Sequence, residues 1–166
     1  MRLMTTSDKG IALIKEFEGL RLAAYKPVAT EQYYTIGYGH YGKDVAKNMR
    51  ITEAEAEALL KDDLGNSESY LNAMGVNFRQ EQFDALVSWL HNFGTTKFES
   101  STLRRCILMG AEDETITDQI VRWVTSSGKP LIGLKRRRVA EANLWLGKEV
   151  YYLDTKGEVK KEGGKR

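Results

Sequence analysis

Cysteine is almost missing from this sequence: Cys106 stands alone. A single thiol excludes an intrachain disulfide framework and any cysteine-based metal cluster. Cys106 has no base near it in sequence and reads as an inert, helix-packed thiol. Histidine is nearly as scarce. His40 and His91 are too few and too far apart to make a zinc site. The opening MRLMTTSDKG has no apolar signal core, and no stretch approaches the length of a membrane span. The expectation is synthesis in a cytosol, with release by another agent if the protein acts outside. No internal repeat or low-complexity domain is visible.

Apolar residues make up 42% of 166 positions, enough for a real core and unlike a disordered chain. That length suggests one domain with room for two lobes. Net charge is only +2, but it is unevenly spread. Residues 129–166 carry eleven Lys/Arg against five Asp/Glu, which is +6 and leaves −4 for residues 1–128. A basic C-terminal region suits a polyanionic partner. The plainer reading is a solvated helix face followed by a tail.

Local signals give the order of elements. Ser7 can cap a helix from about Asp8 to Glu18. Residues 23–46 mix aromatics, β-branched residues and glycines without a helical period, as a small antiparallel sheet with turns does. Thr52 and Glu55 form a capping box opening a long acidic helix to about Met74, with Gly65-Asn66 as its weak point. Arg79 to Phe93 is crowded with apolar residues and reads as a central buried helix ended by Gly94. Helices are expected over Ser101–Met109, Asp113–Val124 and Leu134–Leu146, with a break at SSGKP. The tail after Val150 has a turn at Lys156-Gly157, forms a short hairpin or stays mobile, and ends in residues of disordered character. The fold class is α+β: one helix, a small sheet, a long connecting helix and a helical C-terminal lobe.

One residue stands out on the first helix. At about 100° per residue, Ile11, Leu13, Ile14 and Phe17 fall in one arc. Glu18 falls in the same arc, whereas Glu16 lies outside it. An inward carboxyl must be paired, or must shift toward its neutral form. The neutral form is what a general acid uses near pH 7. A glutamate simply held by an arginine, with no chemistry, is the competing reading.

The segments EGLRLAAY and YYTIGYGH follow, with FDALVSWLHNFG, FESSTLRR and GLKRRRVAEANLWLG later. Together these resemble the phage lysozymes (endolysins) of glycoside hydrolase family 24, over roughly residues 8–147. The resemblance implies a lysozyme-like two-lobe fold. Residues 1–150 would be one catalytic domain, with a sheet lobe at about 19–50, a helical lobe at about 75–147 and a long helix joining them. Residues 151–166 would be a basic tail. The implied activity is hydrolysis of the β-1,4 bond between N-acetylmuramic acid and N-acetylglucosamine. Peptidoglycan glycan strands would be the partner, and no metal or cofactor is implied. A monomer is expected, and the resemblance implies that it stays in the host cytoplasm until a holin releases it to the periplasm and wall.

Members of that family use a Glu, an Asp or Cys nine residues later, and a Thr six further on. Glu18 matches the acid. Thr35 matches the Thr by its local motif, though it sits seventeen residues after Glu18. The Asp position holds Pro27, in a loop KPVATEQ with two extra residues. Pro27 reads as a loop-shaping residue. Three readings stay open. Glu31 supplies the second carboxylate. Or Thr35 orients the attacking water with Glu18 alone. Or the enzyme is a lytic transglycosylase, in which the substrate's own 6-hydroxyl attacks. A catalytically inactive wall-binding protein is the remaining alternative.

The resemblance also implies a structural His40–Asp63 pair and an arginine near the acid, Arg137 by motif. One of Arg136, Arg137 and Arg138 is expected to face inward, since the three cover about 200° of the wheel. Tyr34 and Tyr38 are candidates for stacking on sugar rings, with Tyr25 better explained as core. Asn92 is assigned to the N-acetyl group and Ser101 or Thr102 to a helix cap. Trp89 and Trp123 are expected in the core. The non-enzyme rival, nucleic-acid binding through KRRR, has no recognisable reading motif behind it, and no nucleic-acid partner is expected.

Overall fold

The computed structural model describes residues 3–156 and 158–160. Contacts divide the chain into two compact units, Ile14–Asn66 (the sheet unit) and Met1–Leu13 with Ser67–Arg166 (the helical unit). The divisions fall inside two helices.

Helix α1 (Asp8–Glu18) has the predicted bounds. Asp8 lies in its first turn, where a negative charge suits the helix dipole. Gly19, at φ 70, ends it in the left-handed conformation, with its N–H bonded to the Lys15 carbonyl at 3.3 Å. Strands β1 (Arg21–Tyr25), β2 (Tyr34–Gly37) and β3 (His40–Gly42) form one antiparallel sheet in sequence order. Tyr34 pairs with Gly42, Thr35 with Tyr41 and Ile36 with His40. The β1–β2 register shifts between Arg21 and Tyr25. Residues 49–51 line the other edge of β1, through Ala24 N–H to the Met49 carbonyl (2.9 Å) and Ile51 N–H to the Leu22 carbonyl (3.0 Å).

Helix α2 (Glu53–Ala73) opens on the expected capping box. The Thr52 N–H donates to Glu55 Oε2 at 2.7 Å, and the Glu55 N–H donates to Thr52 Oγ1 at 3.2 Å. Ala56, Leu60, Leu64, Ser67 and Leu71 make its buried stripe at helical spacing. The helix runs unbroken through Gly65-Asn66. Local propensity is overridden there by burial on either side of the glycine.

In the helical unit, α3 (Gln80–Phe93) is buried from Phe83 to Leu90. It packs most heavily on α7 (Ile132–Trp145), which also packs on α6 (Asp113–Val121). Trp89 is fully buried, and its ring meets Phe93, Phe98 and Trp123 at centroid distances of 4.9, 5.6 and 4.8 Å. Burying a side chain of this size contributes about 3 kcal/mol. A short helix α4 (Thr95–Glu99) lies between α3 and α5 (Thr102–Leu108) and was not expected. Gly94 at φ 86 turns the chain and restarts it. Ser101 caps α5 by accepting from the Arg104 N–H at 3.0 Å.

Helix α6 stops at Val121, short of the expected Val124, because the chain enters a hairpin. Strands β4 (Thr125–Ser126) and β5 (Lys129–Pro130) pair across Ser127-Gly128, both at positive φ. Strands β6 (Tyr152–Leu153) and β7 (Val159–Lys160) pair as the tail hairpin. Asp154 carboxylate oxygen Oδ1 accepts from the Lys156 and Glu158 N–H groups at 2.8 and 3.0 Å. Gly157 and the chain end, where disorder was expected, lie outside the described residues.

Candidate active site

The sheet unit holds the candidate chemistry. Glu18 is the last residue of α1 and is half-buried, while Glu16 is exposed, as the wheel predicts. Its carboxyl lies against the β2–β3 turn: Oε2 is 3.5 Å from the point a Cβ would occupy on Gly39. Gly39 has φ 90, so a side chain there would be strained as well as close to the acid. Thr35, in the middle of β2, is 6% exposed and hydrogen-bonded as a ladder residue between Tyr25 and Tyr41.

The enlarged loop has a definite shape. Residues 27–30 are exposed, Pro27 among them, whereas Glu31 is half-buried. The Glu31 N–H donates to the Val28 carbonyl at 3.0 Å. Lys26 Nζ donates to the Glu31 carbonyl at 2.7 Å and lies 5.0 Å over the Tyr34 ring. Lys26 thus ties the two ends of the loop together.

Two tyrosines depart from expectation. Tyr38, a candidate for stacking on sugar, is only 6% exposed and carries Lys15 Nζ 5.3 Å over its ring. No open face is left for a sugar, because the residue sits in the tight β2–β3 turn against α1. Tyr25, expected in the core, is half-buried with Arg21 5.0 Å over it.

His40 pairs with Asp63, as expected, and also with Asp44. Its Nδ1 lies 2.9 Å from both carboxylate oxygens of Asp63, and its Nε2 lies 2.9 Å from Asp44 Oδ2. Burial disfavours the charged ring, but the hydrogen bonds to Asp44 and then Asp63 outweigh it and raise the His40 pKa. The same contact lowers that of Asp44. Lys15 reaches Glu57 at 2.6 Å, and Lys61 reaches it at 2.9 Å. These two hydrogen bonds, Lys15 first, hold the Glu57 pKa at about 2.

In the helical unit, Asn92 is half-buried, and its Oδ1 is shut off with no hydrogen-bond partner among the described residues. Of the three arginines, two face inward where one was expected: Arg137 is 4% exposed and Arg138 fully buried. The reason is Glu141, also fully buried, one turn along α7. It meets Arg138 Nε at 2.6 Å and Arg137 Nε at 3.4 Å. Ser88 on α3 donates to Glu141 at 2.6 Å and takes hydrogen bonds from Arg137 on its hydroxyl and carbonyl, both at 3.2 Å. Arg138 also lies 4.6 Å from the Phe93 ring centroid. Spacing of three and four residues between the arginines and Glu141 was the available signal for this network. Nothing local pointed to Ser88.

The phage lysozyme family model matches residues 15–141. The chain belongs to the phage lysozyme family. Among relatives of this lysozyme-family chain, the endolysin of Bacillus phage B103 is 45% identical over 144 residues, covering 86% of this chain and 54% of its own length. This chain therefore spans about half of that relative. Two solved structures share the fold. The muramidase domain of SpmX from Asticaccaulis excentricus is 33% identical with a TM-score of 0.77, covering 86% of this chain and 97% of that domain. A crystal structure of P22 lysozyme is 36% identical with a TM-score of 0.76, covering 86% and 99%. The α+β architecture is the lysozyme fold.

Proposed function

We propose that this chain is a peptidoglycan muramidase of the endolysin type, with Glu18 as the general acid. The reaction is hydrolysis of the β-1,4 bond between N-acetylmuramic acid and N-acetylglucosamine. The observation that carries this reading is the seat of Glu18, half-buried at the end of α1 with its carboxyl against Gly39. A proton donor must be reachable by substrate and sheltered from bulk water, and half-burial meets both demands. Membership of the phage lysozyme family and likeness to a muramidase domain support it.

In this mechanism the Glu18 O–H gives its proton to the glycosidic oxygen as the C1–O bond breaks. Water then adds at the oxocarbenium-like carbon and gives a proton to the second carboxylate, and exchange with solvent returns a proton to Glu18. Glu31 is our choice for the second carboxylate, since it is the sole acid between Glu18 and β2 and is half-buried where loop residues 27–30 are exposed. Thr35, held on both sides by the ladder, would orient the water. In the sheet unit Tyr34 is assigned to substrate recognition, whereas Arg137, expected to share that role, is only 4% exposed and bound to Ser88 and Glu141, which makes it structural. Asn92 was expected to serve the N-acetyl group, but its Oδ1 is closed off from solvent, which leaves that role without support. Release to the wall through a holin pore completes the proposal.

Clearing of purified cell-wall sacculi tests the reading. Glu18→Gln should cost about 10³-fold in rate. Equal clearing by wild type and variant would overturn the assignment, and no clearing by wild type would leave a wall-binding protein. Glu31→Gln should cost about 10²-fold. Near-full activity there, with Thr35→Ala inactive, would transfer the second role to Thr35. Pro27 at the expected Asp position keeps one further reading in view, and mass spectrometry of the products decides it. Reducing ends mean hydrolysis, and 1,6-anhydro ends mean transglycosylation.

A further inference from the structure

Residues 119–140 contain six Lys/Arg and not one Asp or Glu. Two of those cations, Arg137 and Arg138, are buried in the Glu141 network. Of the others, Arg122, Lys129 and Lys135 are exposed and Arg136 half-buried. The same segment exposes aliphatic side chains: Val121 at 36%, Leu131 at 47% and Ile132 at 55%. Its two arms are drawn together by the β4–β5 pairing and by the Leu131 N–H, which donates to the Val124 carbonyl at 2.9 Å. The end of α6, the exposed β4–β5 hairpin and the start of α7 therefore form one continuous surface. Asp118, one turn back from Arg122 on α6, is the nearest acid before it along the chain.

Neither feature is explained by folding. An exposed isoleucine and leucine side by side contribute little to the core, and the cations have no acid of their own segment to pair with. A phosphate polymer would use the charges and leave the aliphatics idle. A bilayer interface uses both, with cations at the phosphates and aliphatic side chains among the upper acyl carbons. We propose that the β4–β5 hairpin with its flanking helix ends is a docking surface for an anionic lipid bilayer. The surface lies wholly within the helical unit and does not depend on the proposed glycan chemistry.

Co-sedimentation with phosphatidylcholine vesicles containing roughly one-third phosphatidylglycerol tests it. Binding is expected to these vesicles and not to pure phosphatidylcholine, and to weaken with salt. The variant Arg122→Gln, Lys129→Gln, Lys135→Gln should bind about 100-fold more weakly, near fivefold per charge. Leu131→Ser with Ile132→Ser should also weaken vesicle binding, while leaving retention on a soluble polyphosphate unchanged. All five positions are exposed, so circular dichroism and melting should stay at wild type, as should sacculus clearing. The proposal is overturned by no vesicle binding, or by equal binding to neutral vesicles. It is also overturned if the serine variant binds vesicles as well as wild type, which points to a polyanion site. Loss of binding on Lys156→Gln in the tail, with the hairpin variants unaffected, overturns it too.

Discussion

The Glu141 network of the helical unit and the ion pairs of the sheet unit are held in opposite ways, and the helical unit's own Arg79–Asp113 pair, half-exposed, resembles the latter. In the helical unit, Glu141 is fully buried between two guanidiniums that are themselves buried, with Ser88 as a third partner. In the sheet unit the acids that pair with His40 and Lys15 keep contact with water: side-chain exposure is 62% for Asp44, 28% for Asp63 and 34% for Glu57. The contact distances are similar, so geometry does not separate them. Solvent does. A buried pair has surrendered its hydration, so removing one partner strands the other. A half-exposed pair falls back on water, and its net contribution is small and sensitive to pH and salt. The helical unit's network is a permanent part of its core, whereas the sheet unit's pairs are adjustable.

The sharpest way to break this contrast is Glu141→Gln. It leaves Arg138 buried without the charge of Glu141. Breaking a buried pair in this way costs about 3–5 kcal/mol. Urea or thermal unfolding measures it, and a loss under about 1 kcal/mol would mean that water reaches this network after all.

The His40 clasp should come next in size. As a protonated ring it donates to a carboxylate on each side, and charged hydrogen bonds of this kind contribute about 1.5–3 kcal/mol each at most. Partial exposure reduces that, to about 1–2 kcal/mol for His40→Gln at pH 5.5. The His40 pKa is raised by folding. Its stabilisation is therefore full below the unfolded value of about 6.5 and disappears as pH rises through the folded value. The difference between wild type and His40→Gln should shrink on going from pH 5.5 toward alkaline pH. A difference that grows with pH would reverse the assignment.

How far these features could be read from the sequence depends on how local they are. The α1 stripe, the Thr52/Glu55 box and Gly94 act within a turn or two of chain, and all were legible. The His40–Asp63 pair crosses from β3 to α2 and was accessible only through resemblance to a family. Asp44 was missed because it follows β3 in a turn, where no period marks a partner. Arg137 and Arg138 were treated as isolated charges, which allows only one to turn inward. Glu141, three and four residues on, changes that count. Tyr38 reads as a cleft aromatic by composition, and only its place under Lys15 makes it structural. Helix α4 is five residues long, too short to show a period.

Asp84 offers an intermediate case in the helical unit. Burial raises its pKa, against hydrogen bonds from the Ser7 side chain and backbone and from Gln80. The stability tied to its proton is present below the unfolded value of about 3.9 and is lost as pH rises through the folded value. Asp84→Asn removes the charge and keeps most of the hydrogen-bonding shape. At pH 7 the variant should match wild type or exceed it by up to about 1 kcal/mol. A loss above about 2 kcal/mol would show that the ionised form is what holds Ser7.

A small effect is also expected at Glu57, although its pKa is moved to about 2. Its contacts with Lys15 and Lys61 are short, and the carboxylate is one-third exposed. A lowered pKa means that its contribution is present above the unfolded value of about 4.3 and is lost as pH falls through about 2. In water much of that electrostatic gain is matched by hydration, and both lysines lose rotamer freedom to make it. Glu57→Gln should therefore destabilise by only about 0.2–1 kcal/mol at pH 7, and less in molar salt. A loss equal to that of Glu141→Gln, unchanged by salt, would show that the Lys15–Glu57 contact belongs with the buried networks. The contrast between the network and the pairs would then rest on something other than access to water.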